Sequence, residues 1–251
     1  MNILITGASS GIGRDMAEIL CKKGHIVYAV ARREERLNEL KDKYPENIIP
    51  MVCDVSEKEN CFNLFEKLED KDIDVLINNA GYGMFGKFDS TDLDRELKMI
   101  DTNIIGLHIL TKLFYKQFLD KNKGYILNVA SSAGFMMGPL LSSYYASKAY
   151  ALRLSEALYR EAKEVKSKVI VSVLCPGPVK TEFDNVADVK FSISGLESKY
   201  VAKYALKKMF KGKMIIIPGL SIKFLVFFSR FIPERLLSKI TYNIQRKKEN
   251  A

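Results

Sequence analysis

Two tyrosines stand just ahead of a lysine in this chain: Tyr144 and Tyr145, four and three residues before Lys148. At either spacing a helix puts the pair of side chains on one face. A free tyrosine has a pKa of about 10, too high to serve as a base near neutrality. A neighbouring ammonium favours tyrosinate, and each pKa unit is worth about 1.4 kcal/mol. Spacing alone leaves both tyrosines open as the proton-handling group. Upstream, the apolar run Tyr125–Ala130 ends in Ser131-Ser132-Ala133-Gly134. A hydroxyl at such a strand end can meet the oxygen of a bound carbonyl compound and stabilise its developing charge. Near the start, Thr6-Gly7-Ala8-Ser9-Ser10-Gly11-Ile12-Gly13 joins an apolar run to a helical pattern. Glycines there allow a tight turn and close backbone approach, and the helix start offers free N–H groups to a pyrophosphate.

These groups need a scaffold, and strand and helix signals alternate along the chain. Asn2–Thr6 reads as a strand, followed by a helix through Met16, Ile19 and Leu20. His25–Ala31 is a strand, and Glu34–Lys43 an exposed helix stopped by Tyr44-Pro45. Ile48–Cys53 is a third strand, with Ser56 as the cap of the next helix and Glu59 completing a capping box. Val75–Asn78, Tyr125–Ala130 and Val169–Leu174 are further strands, and Met214–Pro218 a last one. Long helices are expected over 92–119 and 145–163. Apolar strands alternating with helices imply a parallel sheet covered on both faces. Right-handed crossovers make it a doubly wound α/β sheet of Rossmann type. No repeat or linker divides the chain, so residues 1–251 form one domain. Residues 182–211 read as an excursion over the ligand end of the sheet, a substrate lid. A helical C-terminal extension follows at 219–251.

The composition is that of a globular protein: 47% hydrophobic and 27% charged over 251 residues. A chain of this length buries a core without metals or disulfides. The four cysteines show no metal-binding spacing, and only Cys61 is placed to reach the surface. Two histidines 83 residues apart, His25 and His108, give no metal site and no good Ser-His-Asp triad. The sequence opens as a strand without a charged leader, so a reduced cytoplasmic protein is expected. The charge is uneven. Residues 199–251 carry 13 Lys+Arg against Glu234 and Glu249, while residues 1–198 carry 26 against 28 acids. The whole excess of +9 therefore comes from the last 53 residues, a pattern that points to an anionic surface.

Four ordered motifs together give the chain a family likeness. Thr6–Gly13 reads TGxxxGxG, Asn78-Asn79-Ala80-Gly81 reads NNAG, Tyr144–Lys148 reads YxxxK, and Pro176–Thr181 reads PGxxxT. With them the chain resembles the short-chain dehydrogenases/reductases in their compact form, over residues 1–181. The resemblance selects Tyr144 over Tyr145 and Ser131 over Ser132, the serine lying thirteen residues before the tyrosine within SxxG. It implies a catalytic set of Asn103, Ser131, Tyr144 and Lys148. Asn103 is a poor residue for a helix interior; in the family it kinks the helix and holds a water linked to the lysine. The cofactor would lie on Gly7, Ser9, Ser10, Gly11, Ile12, Gly13, Asp54, Val55, Asn79, Ala80, Gly81, Pro176, Gly177, Val179 and Thr181, with Tyr144 and Lys148 reaching its nicotinamide ribose. NAD-selective relatives end the second strand in an acid. This chain has Arg32-Arg33 there, and guanidinium groups bind a 2′-phosphate. NADP(H) is expected, with Arg32 the leading contact and Arg33 the second. No metal is implied.

The function expected is an NADP(H)-dependent oxidoreductase interconverting a ketone or aldehyde with its alcohol. A non-catalytic NADP(H) sensor on the same fold is the alternative; no catalytic position is lost. The basic tail lacks a nucleic-acid reading motif, so nucleic acid is not expected. Phe135, Met136, Met137, Leu140, Phe183, Val186, Val189, Phe191, Ile193 and Leu196 suit an apolar substrate. The resemblance also implies a homodimer or homotetramer. Residues 219–251 combine phenylalanines with Lys and Arg, the profile of peripheral contact with an anionic inner membrane face.

Overall fold

The computed structural model describes residues 1–183 and 195–246. Strand β1 (Asn2–Thr6) leads into α1 (Gly11–Cys21), then β2 (Ile26–Ala31), α2 (Glu34–Lys43), β3 (Ile48–Val52) and α3 (Lys58–Leu68). The second half runs β4 (Ile73–Asn78), α4 (Leu93–Ile100), a π-helical turn (Asp101–Gly106), α5 (Leu107–Asp120), β5 (Tyr125–Val129), α6 (Ser142–Glu164) and β6 (Ile170–Leu174). Short strands β7 (Val179–Lys180) and β8 (Leu196–Glu197) pair with each other. Then come α7 (Ser198–Met209), β9 (Ile215–Ile216), α8 (Leu220–Ser229) and α9 (Glu234–Arg246).

Seven parallel strands form one sheet in the order β3-β2-β1-β4-β5-β6-β9. The doubly wound α/β sheet expected from the alternation is the observed one. Side chains alternate across each strand. Ile3 and Ile5 face a layer completed by α1 and α7, through Met16, Leu20, Val201 and Leu206. Leu4 faces the opposite layer, with Leu64, Leu68, Phe114 and Phe118 from α3 and α5. The order reverses between β1 and β4, so their carboxyl ends diverge and open a crevice.

Three details differ from the sequence reading. Ser56 does not cap α3; its N–H and hydroxyl bond Asp54 Oδ1 at 3.0 and 2.8 Å, and Glu57 occupies the cap. Cys61 is fully buried, because its face of α3 turns inward. Residues 198–209, placed in the presumed lid, form α7 and lie in the core against α1; Val201, Ala202, Ala205 and Met209 have no exposure. Their apolar spacing is that of a core helix. Residues 184–194 of the presumed lid, with Val186, Val189, Phe191 and Ile193, lie outside the described residues.

A buried polar bridge ties the centre of the sheet to two helices. Asn78 Nδ2 donates to Asn128 Oδ1 and to Thr111 Oγ1, both at 3.0 Å, and Asn128 Nδ2 donates to Ser155 Oγ at 3.0 Å. Asn128→Ala strands these buried groups, so we expect a loss of about 2–3 kcal/mol. Urea unfolding should report it as a lower midpoint at unchanged slope.

Candidate active site

The crevice is a cleft of about 520 Å³. Its first wall is the glycine loop. Gly7 and Gly11 have φ of +66° and +52°, a region that L side chains rarely adopt. A Cβ on Gly13 would lie 2.4 Å from Gly7 O and Asn79 Nδ2. The loop is locked to the end of β4: Thr6 Oγ1 accepts from Asn79 N and Ala80 N at 3.0 and 3.1 Å. Asn79 Nδ2 donates to Thr6 O and Gly7 O in return, at 3.1 and 3.0 Å. Ser10 gives α1 no side-chain cap, and the first turn carries no acid. Free N–H groups and the positive helix end therefore face the cleft, a fit to a pyrophosphate.

The opposite wall is built by the end of β5 and the first turns of α6. Tyr144 and Lys148 lie on one face of α6, with Lys148 Nζ 5.8 Å from the Tyr144 ring centroid. Lys148 is 4% exposed, and its Nζ donates to Val129 O at 3.0 Å. Burial lowers its pKa from 10.5 to about 8. Burial likewise pushes the Tyr144 phenol well up, against a hydrogen bond with Ser131 that favours tyrosinate. The hydroxyl of Tyr145 is taken instead by Gln245, whose Nε2 donates to it at 2.6 Å. Ser131 Oγ also accepts from Ala133 N at 3.1 Å, capping the short turn Ser132–Phe135.

The family model for short chain dehydrogenases matches residues 1–189. The chain belongs to that family. An NADP-dependent 3-hydroxy acid dehydrogenase of Schizosaccharomyces pombe is 37% identical over 73% of this chain and 73% of its own length. A farnesol dehydrogenase of Aedes aegypti is 31% identical over 88% of this chain and 94% of its own. Among solved structures, a short-chain dehydrogenase from Sphingobium yanoikuyae in complex with NADPH superposes with a TM-score of 0.81. It is 30% identical, with 87% of this chain and 88% of that one covered.

In this short-chain dehydrogenase every site residue named from the sequence lines the cleft except Gly13 and Asn103. Gly13 is packed behind the loop. Asn103 is fully buried in the π turn. Its Oδ1 accepts from Tyr82 N at 3.1 Å, and its Nδ2 donates to Tyr82 O and Ser147 Oγ at 2.9 and 3.0 Å. A Cβ on Gly81 would lie 2.8 Å from Asn103 Oδ1 and 3.0 Å from Lys148 Nζ, so both groups press on that glycine. Met136 and Phe183 line the cleft; Phe135, Met137, Leu140 and Leu196 do not. Leu196 packs on the core instead.

At the rim, Arg32 Nη1 lies 3.7 Å from Asp54 Oδ2. Burial raises the Asp54 pKa, but its bonds from Ser56 and the Arg32 charge outweigh this and hold it low. Arg33 donates to Ser9 Oγ at 3.1 Å and to Glu182 Oε2 at 2.8 Å. That bond keeps Glu182 below the ordinary carboxylate range. The sequence reading missed Glu182, Tyr82 and the whole C-terminal contribution: Ile222 and Leu225 of α8, and Thr241, Ile244 and Gln245 of α9. The i, i+4 repeat of Leu237, Thr241 and Gln245 was the available signal.

The buried ammonium has a measurable cost. Lys148 binds its proton less tightly folded than unfolded, so its penalty is full below pH 8 and fades between about 8 and 10.5. Lys148→Met removes that penalty but strands the Val129 carbonyl, so its stability relative to wild type should be most favourable at pH 7. Paired denaturation curves at pH 7 and 10 should show the variant lose ground to wild type at the higher pH.

Proposed function

We propose that this short-chain dehydrogenase is an NADP(H)-dependent oxidoreductase acting on an apolar ketone or aldehyde and the corresponding alcohol. The observation that carries the reading is the convergence of Ser131, Tyr144 and Lys148 on one wall, opposite the glycine loop. The cofactor reading is supported by the fit of the uncapped α1 terminus to a pyrophosphate, and by two guanidinium groups where an NAD-selective chain has an acid. The Schizosaccharomyces pombe relative is NADP-dependent by name, and the Sphingobium yanoikuyae neighbour was solved with NADPH. Apolar substrate is supported by Met136, Leu141, Phe183, Ile222, Leu225 and Ile244 around the catalytic wall, and by the farnesol named for the Aedes aegypti relative.

The bound nicotinamide supplies or takes up the hydride. Every other task falls to the chain. The glycine loop and α1 N–H groups would hold the pyrophosphate, Arg32 and Arg33 the 2′-phosphate, and Lys148 the ribose hydroxyls beside the reaction. Asp54 and Val55 would border the adenine, and Thr181 would bond the nicotinamide amide or the pyrophosphate. Ser131 donates to the carbonyl oxygen and stabilises the charge that develops there. Tyr144, protonated at neutral pH, gives its proton to the same oxygen in reduction and recovers it in oxidation. The Lys148 ammonium stabilises the tyrosinate left behind. Asn103 is a positioning residue: its amide makes three hydrogen bonds to Tyr82 and Ser147, and it fixes the loop after β4 against the lysine.

Tyr144→Phe should lower kcat by at least about a hundredfold and leave NADPH binding nearly intact. Ser131→Ala should cost about 10²–10³ in kcat. An inactivating Tyr145→Phe beside an active Tyr144→Phe would reverse the tyrosine assignment. Arg32→Asp should raise the KM for NADPH between roughly tenfold and a hundredfold, the worth of one charge-assisted bond. The KM for NADH should move little; equal changes for both dinucleotides would remove the 2′-phosphate role.

A further inference from the structure

Helix α8 is apolar on two sides, and the domain covers only one. Val226 and Ser229 are buried, and Ile222 and Leu225 line the cleft. On the outer side Leu220, Phe224, Phe227, Phe228 and Phe231 follow one another at helical spacing. Their exposure runs from 53% at Phe227 to 71% at Phe231. Phe224 stacks on Phe228 at 6.4 Å, and Phe227 meets Phe231 edge-on at 5.3 Å. α9 repeats the pattern, with Leu237, Thr241 and Gln245 turned inward and Leu236, Ile240 and Ile244 outward. Ile244 also lines the cleft, so the outer apolar strip runs to its mouth. Monomeric soluble proteins rarely expose a contiguous strip of this kind.

Charge selects the occupant. Among the described residues of α8 and α9, Glu234 is the one acid, while Lys223, Arg235, Lys239 and Arg246 are basic. Lys223 and Arg230 fold back along the edges, onto Tyr204 (Nζ–OH 3.1 Å) and over the Phe135 ring (6.0 Å). A second copy would bring the same positive charge to the same face, and like charges oppose that pairing. Anionic lipid matches both the cations and the rings. No helix among the described residues is long and apolar enough to cross a membrane. At ten residues, α8 would be about 15 Å long and would lie in the interface plane.

We propose that the outer faces of α8 and α9 dock this enzyme on an anionic bilayer, with the mouth of the cleft against the lipid. Loading of substrate from the bilayer also follows, and that step alone rests on the apolar-substrate reading above. The test is co-sedimentation of the full chain with phosphatidylcholine–phosphatidylglycerol vesicles and with pure phosphatidylcholine vesicles. Wild type should bind the mixed vesicles, bind the neutral ones far less, and release at high salt. Arg235→Gln and Lys239→Gln should each weaken binding about fivefold. Phe224→Ser with Phe228→Ser should abolish it. These are exposed positions outside the cleft, and unchanged NADPH fluorescence titration of each variant certifies its fold. A wild type that ignores the mixed vesicles, or a double serine variant that still sediments with them, overturns the proposal. So does a wild-type dimer that ignores vesicles and is split by the serine variant, which assigns the face to a second copy. Vesicle binding is read without turnover, so its failure leaves the oxidoreductase reading standing, and an inactive enzyme that binds vesicles leaves the docking standing.

Discussion

Lys148 keeps its ammonium group almost out of water, and much of the cleft is arranged around that fact. A charge in such a place is expensive unless hydrogen-bonded. Its compensating bond comes from Val129 O, the last carbonyl of β5, which fixes the lysine to the strand that delivers Ser131. Space for the head group comes from Gly81, where a side chain would strike both Lys148 and Asn103. Asn103 in turn needs the π turn, whose shifted ladder brings its amide inward to bracket Tyr82. The residues after β4, after β5, in the π turn and on α6 thus form one unit. The polar bridge through Asn78, Asn128 and Ser155 holds the same elements together one layer deeper.

The C-terminal helices belong to this unit as well. Gln245 reaches Tyr145 over a hundred residues of chain and occupies its hydroxyl. That bond engages the phenol of Tyr145 and anchors α9 beside Tyr144. The helices that bring the basic charge are therefore also among those that line the cleft.

The sheet was legible because burial on both faces leaves strands with little polar interruption, as in Leu4, Ile5, Val27 and Val30. The glycine loop, the two tyrosines, Lys148 and the strand-end serines stood out as candidates because such chemistry constrains residue type at fixed spacing, while the family resemblance alone singled out Tyr144 and Ser131. The structure puts Gly7, Gly11, both tyrosines, Lys148 and both serines on the cleft. Tyr144 and Tyr145 could not be separated by spacing, since both are helical neighbours of Lys148; only their partners, Ser131 and Gln245, distinguish them. Ser56 misled because a serine before a helix can equally bond an upstream aspartate, and Asp54 competes for it. α7 misled because core helices and lid helices carry the same apolar spacing, and only the facing surface of α1 decides. Glu182 left no signal, because an ion pair with Arg33 across the fold leaves no local pattern.

That ion pair bears on the 2′-phosphate contact proposed for Arg33. The Arg33 and Glu182 side chains are 46% and 42% exposed. An exposed pair of this kind contributes no more than about 1 kcal/mol. Arg36 stands 3.9 Å from the same carboxylate and 3.6 Å from Glu39, so the pair belongs to a wider network of surface charges. A phosphate carries more charge and more acceptor oxygens than the carboxylate it would meet there. In the proposed NADP(H) complex a 2′-phosphate would replace this carboxylate on the same guanidinium, exchanging a weak exposed pair for stronger charge-assisted bonds. Arg33, bonded to both Glu182 and Ser9, stands at the edge of the glycine loop, where the proposed exchange would need it.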